Sequence, residues 1–287
     1  MMLRAFIILT KPKVLMLMML TTFAGIILAP TPYPSTITIL LIIFGQACIA
    51  GSGAVLNHIF DRVADAKMSR TNQRPLVKKS VPINHAYLFA LALWIVGSIL
   101  TLISANQLTW LLTTAGAIGY AVIYTCFLKT ATPQNIALGG LSGAIPPLLG
   151  WVACTNSIDP GALLLSAIIF AWTPAHFWAL SIGKKSDYEK ANIPMLPVTH
   201  GIKITSYFII SYTILLIPLC LLVWLTGMCS IVYAILSCAL NIWYLYINLK
   251  LVYEPEKYAM RSFYLSISYL YLLFFIMISD HLYRRFL

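Results

Sequence analysis

Nine apolar stretches, each close to the length of chain that crosses a bilayer, decide what this sequence can fold into. They run over approximately 14–29, 37–57, 86–105, 107–127, 135–154, 161–182, 206–226, 228–248 and 264–283. A spanning helix needs about 20 mostly apolar residues, and each stretch meets that length or comes near it. The charges a soluble surface would need are missing. Only 9% of the 287 residues are charged and 60% are hydrophobic, whereas soluble domains average about 25% charged residues. Lipid is therefore the solvent for much of the chain. A backbone in lipid must satisfy its own hydrogen bonds, so the spans are helices. The expected fold class is all-α, a polytopic membrane bundle forming one integral-membrane domain over 1–287. Met1 to Lys13 leads into a full-length span with no small-residue cleavage site, so no cleaved signal peptide is expected. Pro30, Pro32 and Pro34 break the chain after the first span, and Asp159-Pro160 does so before the sixth.

The net charge of +11 would suit a nucleic-acid binder, but in a membrane protein it is the expected outcome of basic cytoplasmic loops. No nucleic-acid partner is expected. With the N-terminus inside and the C-terminus outside, all of the 19 basic residues except Arg284 and Arg285 lie on the cytoplasmic side. Dropping one span would invert every later loop and destroy that asymmetry. The six cysteines, Cys48, Cys126, Cys154, Cys220, Cys229 and Cys238, fall in or beside apolar stretches without a CxxC pair. They read as small buried hydrophobes.

The two richest polar loops, 57–85 and 183–205, share the cytoplasmic side. The first opens with Asn57, Asp61 and Asp65, spaced four apart. On a helix continuing out of the second span they form one oxygen-bearing stripe. Hard oxygen ligands on one face suit Mg²⁺, which shares its shell with waters and substrate phosphates. Lys67, Arg70 and Arg74 follow, and guanidinium forks grip phosphate oxygens bidentately. The competing reading is a solvated, salt-bridged helix face. It leaves unexplained why an Asn stands in register at the end of an apolar span. The second loop offers Lys184, Lys185, Asp187, Glu189 and Lys190. Asp187 and Glu189 are two apart and do not share a helical face, so one metal carboxylate is expected there. Between the loops, Tyr120, Tyr124 and Lys129 line the end of the fourth span, and Asn135 follows. Gly139-Gly140 and Pro146-Pro147 then interrupt an apolar segment, which is tolerated only where protein or a cavity satisfies the backbone. In Trp172-Thr-Pro-Ala-His176-Phe177-Trp178 an ionisable group lies at membrane depth, which is a functional candidate by default. The plainer alternative is a histidine hydrogen-bonded between helices.

The run Asn57-xxx-Asp61-xxx-Asp65-xx-Met68-x-Arg70-Thr71-xx-Arg74-Pro75-Leu76 resembles the first aspartate-rich motif of the UbiA-type intramembrane prenyltransferases. Its extension is similar to the haem O synthase branch of that superfamily. Three further stretches resemble the same branch in the same order: Tyr124-Thr125-xx-Leu128-Lys129 with Thr132 to Ile136, Trp172-Thr173-Pro174-x-His176-Phe177-Trp178, and Ile193 to Val198. Thr10-Lys11-Pro12-Lys13 also fits. The resemblance is dense over roughly 8–205 and weaker beyond.

It implies nine helices around a central cavity in a bacterial inner membrane. It implies farnesyl diphosphate as donor and the vinyl group of haem B as acceptor, haem being substrate rather than cofactor. Asn57, Asp61 and Asp65 would hold one Mg²⁺ and Asp187 would help hold a second. Arg70, Arg74, Lys129 and Lys184 would bind diphosphate. Trp172, Phe177, Trp178, Tyr120 and Tyr124 would shelter a farnesyl cation, and His58 or His176 would ligate haem iron or position the porphyrin. The sequence does not choose between the two histidines. A haem A synthase or a terminal oxidase assembly is the implied protein partner. Two positions depart from the pattern: Ala191 breaks a second DxxxD, and Ala175 replaces a proline before His176. An aromatic quinone precursor such as 4-hydroxybenzoate is the alternative acceptor. A secondary transporter is the alternative of a different class, disfavoured because the carboxylates gather at a loop face and no two halves are related.

Overall fold

The computed structural model describes residues 2–286. The chain begins with α1 (Met2–Leu9) and α2 (Pro12–Leu28), which meet at a 48° bend. Pro12 opens α2, where a missing N–H costs nothing and the fixed φ suits a helix. Then comes α3 (Thr36–Lys67), whose N-cap Ser35 accepts from the Thr38 N–H at 3.1 Å. It pairs along its length with α4 (Ile83–Ser104). The next span is composite: α5 (Gln107–Ile118), a π-helix over Gly119–Leu128, and the single turn α6 (Lys129–Ala131). α7 (Asn135–Ala144) and α8 (Pro146–Thr155) form another, joined at Ile145. After α9 (Pro160–Gly183), the short α10 (Lys185–Lys190) and α11 (Leu196–Thr199) cross one end of the bundle. Three long helices complete the fold: α12 (Gly201–Leu225), α13 (Ile231–Tyr253) and α14 (Pro255–Phe286).

Among the described residues, eight helices or helix runs are long and apolar enough to cross a membrane, and the bent α1–α2 pair supplies a ninth. The expected count stands, but several boundaries move. α3 continues to Lys67, α14 starts at Pro255 instead of 264, and α1 is a helix that no apolar stretch announced. α1 is held by what it covers: its Ala5 and Leu9 pack with Val55 and Ile59 of α3 and with Leu76 and Val81 of the loop. The larger core lies between α2, α8, α9 and α12–α14 and includes Trp178, Leu216 and Phe274, all fully buried. Large apolar side chains such as Leu40, Ile103, Leu225 and Ile242 point outward. On a soluble protein such a belt would aggregate. Here it is the face presented to acyl chains, and the molecule is a multi-pass membrane protein.

The proline pair shows how the bundle tolerates a broken helix. Pro146 and Pro147 lack N–H groups, so the carbonyls of Ser142 and Gly143 lose their helical donors. Both prolines are buried, and α2 packs directly against this segment. The fit is closest at Gly25 and Gly150. A Cβ on Gly25 would lie 2.0 Å from the Pro147 oxygen, and one on Gly150 would lie 1.9 Å from the Thr22 oxygen. Thr22 also donates to the Pro146 carbonyl at 3.2 Å. Two backbones in contact replace side-chain packing, as small residues allow between membrane helices. The cysteines follow expectation only in part: Cys48, Cys220 and Cys229 are buried, whereas Cys126 is exposed.

Both ends of the bundle are chemically distinct. One carries the end of α3, the 68–82 loop, the α1–α2 bend, α6 and α10. The opposite end joins α2 to α3, α8 to α9 and α12 to α13. There Asp280 accepts from the backbone N–H and the hydroxyl of Ser230, and Arg284 donates to the Gly227 carbonyl.

Candidate functional site

α3 runs past the apolar span, so its last turns carry Asn57, Asp61 and Asp65 into the interior of the first end. All three are buried, at 2%, 7% and 1% exposure. Carboxylates this far from water survive as charges only when paired. Each is. Lys129 Nζ sits 2.6 Å from Asp61 Oδ1, and Arg74 Nη1 sits 2.6 Å from Asp65 Oδ2. The Asn57 amide donates to Asp61 Oδ2 at 2.9 Å and to Thr125 Oγ1 at 2.8 Å, while its oxygen accepts from Lys11 Nζ at 2.5 Å. Lys11 also donates to the Tyr120 hydroxyl at 2.6 Å. The stripe read from the spacing is real, and three cations from three separate parts of the chain converge on it.

The π-helix explains how one span delivers Tyr120, Tyr124, Thr125 and, one turn on, Lys129. The wider turn lets the Thr125 hydroxyl donate to the Tyr120 carbonyl five residues back, at 2.8 Å. Tyr120 and Tyr124 thereby stack with centroids 6.1 Å apart and rings inclined 12°. π-Helical turns are rare and concentrate at functional sites. Tyr124 in turn needs Gly139, where any Cβ would fall 2.2 Å from the ring.

Asp187 belongs to the same end but does not join the stripe directly. Ser69, four residues past Asp65, donates to it through its hydroxyl at 2.7 Å and its backbone N–H at 3.3 Å. Burial pushes the Asp187 carboxyl up, but those bonds, the Arg70 backbone and the Lys184 charge outweigh it and hold the group below the usual carboxylate value. Arg70 lies near the same helix, its charge opposing the burial that pushes the Tyr188 phenol up. Glu189 is exposed and meets only Lys185, at 3.4 Å. Among the described residues no three His, Cys, Asp or Glu side chains gather at metal-binding spacing. The expected set Asn57, Asp61, Asp65 and Asp187 is thus split in two, tied together by the four-residue step from Asp65 to Ser69.

The two histidines differ. His176 is buried between α9 and α14, its ring stacked on Trp172 at 4.3 Å and on Phe263 at 4.6 Å. Its Nδ1 lies 2.6 Å from Ser266 Oγ, and Trp172 Nε1 donates to the Ser266 carbonyl at 2.9 Å. His58 is 3% exposed, and neither ring nitrogen has a hydrogen-bond partner. Phe177 and Trp178 leave the expected aromatic shelter. Phe177 is exposed, and Trp178 packs on Phe208 and Tyr212 of α12. Successive helical residues point about 100° apart, so His176 takes its neighbours to other faces. Sequence reading missed Ser69 and Tyr188 altogether, and Lys11 entered it only inside a motif. A serine in a loop and a lysine beside a membrane span carry no distinguishing signal.

Comparisons with known proteins bear on the family and the fold. Residues 18–277 match the family model described as the UbiA prenyltransferase family. Protoheme IX farnesyltransferase 2 of Pseudoalteromonas atlantica is 48% identical over 278 residues, covering 96% of this chain and 91% of the relative. Protoheme IX farnesyltransferase of Shewanella halifaxensis is 49% identical over 282 residues, covering 97% and 93%. The fold is also that of a UbiA homolog from Archaeoglobus fulgidus solved with DMAPP and Mg²⁺, with a TM-score of 0.64 at 14% identity over 96% of this chain and 99% of that one. The chain belongs to the UbiA prenyltransferase family.

Proposed function

From that membership, we propose that the chain transfers the farnesyl group of farnesyl diphosphate to the vinyl group of haem B, with addition of water, giving haem O. The observation that carries the reading is the convergence of Lys11, Arg74 and Lys129 on the buried Asn57–Asp61–Asp65 stripe. It is supported for the acceptor by relatives near 48% identity that are named protoheme IX farnesyltransferases.

The residues fit Mg²⁺ by the chemistry of their donors. Asp61, Asp65 and the Asn57 oxygen are hard, buried acceptors on one helix face, and Asp187 is kept ionised nearby. Bound there, Mg²⁺ would neutralise the charge that develops on the departing diphosphate. Asn57, Asp61 and Asp65 would hold one ion and Asp187 would help hold a second. Arg74 and Lys129 are then the groups that exchange a carboxylate for a phosphate oxygen, and Arg70 and Lys184 add positive charge at the rim. The allylic C–O bond breaks with its electron pair going to diphosphate. Cations already in place stabilise that pair without reorganising solvent. The stacked Tyr120 and Tyr124 present π-faces to the allylic cation. The vinyl carbon of the porphyrin attacks it, and water adds to the resulting porphyrin-side cation with loss of a proton.

For the acceptor, His58 is the better candidate of the two histidines. A buried imidazole with two unmet ring nitrogens is costly unless a ligand meets one. His176 already spends its Nδ1 on Ser266, so we assign it to holding α9 against α14, with Trp172 beside it. The basic residues gathered at this end support a cytoplasmic site by the positive-inside rule, and the bacterial relatives support an inner membrane as its home. The test is mass analysis of haems extracted from membranes of cells with and without this chain. Haem O should appear only with it. A prenylated quinone precursor in its place would overturn the acceptor, and no prenylated product at all would overturn the reading.

A further inference from the structure

Lys11 occupies a position that its backbone does not favour. It joins α1 to α2 with φ 54° and ψ 60°, left-handed geometry that glycine or asparagine adopts at lower cost than lysine. A turn needing only that shape would not call for a long cationic side chain. The side chain does enter the site, with Asn57 Oδ1 at 2.5 Å, the Tyr120 hydroxyl at 2.6 Å and the Tyr120 ring centroid at 5.2 Å. Arg74 and Lys129 each have a carboxylate within 2.6 Å, whereas no ion pair among the described residues includes Lys11. Its acceptors are neutral oxygens. A partly buried ammonium held by neutral oxygens next to an acidic stripe is a cation without an anion of its own, and the site gains most if an anion arrives.

We propose that Lys11 is a phosphate-binding residue, a third cation that grips the donor's diphosphate and leaves the Asn57 oxygen free for metal. The proposal rests on the diphosphate reading above. The bend between α1 and α2 serves it by turning the first helix aside, so that the residue at the corner points inward instead of along the membrane surface.

The probe is farnesyl thiolodiphosphate, an unreactive donor analogue, titrated calorimetrically with Mg²⁺ into the purified full chain. Lys11→Met should weaken its binding about 10- to 100-fold, the size of a lost hydrogen bond to a charged group. Lys11→Arg should bind it more tightly than Lys11→Met does, because the positive charge is kept and a guanidinium also grips phosphate. Lys11→Gly separates ligand binding from folding. It relieves the left-handed strain, so its melting temperature should equal or exceed wild type while affinity falls as in Lys11→Met. Wild-type affinity in both neutral variants, beside a loss in Arg74→Gln, would overturn the role of Lys11 and leave the diphosphate site standing. A Lys11→Gly protein melting well below wild type would also overturn it, since Lys11 would then be an anchor of the turn. No binding by the wild-type chain would sink the diphosphate reading itself and the proposal with it.

Discussion

The charged mouth at the end of α3 and the aromatic seam between α9 and α14 bury polar groups by opposite means. At the mouth, long cationic arms reach in from the α1–α2 bend, the 68–82 loop and α6 to meet carboxylates on one rigid helix. Those arms can change partner without moving a backbone. In the seam, His176 is fixed on both ring faces by Trp172 and Phe263 and at Nδ1 by Ser266. Nothing there can exchange without repacking two helices. The difference teaches where function resides: exchangeable pairs suit a ligand that brings its own charge, and a locked ring suits the scaffold.

The contrast is broken most easily at the carboxylates. Asp61→Asn should lower turnover on the order of 10²-fold, the cost of one preorganised electrostatic contact, measured as haem-dependent pyrophosphate release. An enzyme keeping full Mg²⁺-dependent turnover would end the metal-ligand role. Asp61→Ala should also destabilise the fold by about 3–5 kcal/mol, because it strands the buried Lys129 ammonium.

His58 and His176 test the same divide with opposite signs. His58→Leu removes two unmet nitrogens and should raise the melting temperature by a few degrees, as expected for about 1 kcal/mol, while weakening haem binding followed by absorbance. His176→Phe keeps the stack, loses the Ser266 bond and should cost about 1 kcal/mol of stability with haem binding intact. Reversed outcomes would exchange the roles of the two histidines.

A gentler probe is Ser69→Ala. The ionised Asp187 in its clasp contributes fully above the ordinary carboxylate value near 3.8 and is lost as pH falls through the lowered folded value. Removing the hydroxyl takes away a bond that favours the charged form. The acid limb of a turnover-against-pH profile should therefore move upward. The smallest effect is expected at Glu189→Gln, where an exposed pair with Lys185 is worth about 0.5 kcal/mol or less. It stands two positions from Asp187, off that residue's helical face, and turnover should not change.

The membrane class, the number of spans and the Asn57–Asp61–Asp65 stripe were legible in the sequence because they are local. Spanning helices announce themselves by length and hydropathy, and a four-residue spacing dictates a shared helical face. What lay far apart in the chain was not legible. Lys11 is 46 residues from Asn57, Ser69 is 118 from Asp187, and Ser266 is 90 from His176. The split of the expected metal set, the departure of Phe177 and Trp178 from the aromatic shelter, and the π-wide turn at Thr125 belong to the same group. Only packing decides which helix faces which and where a flexible cation finds its partner. A one-dimensional pattern fixes the faces of each helix, and the burial of charge in three dimensions chose among their pairings.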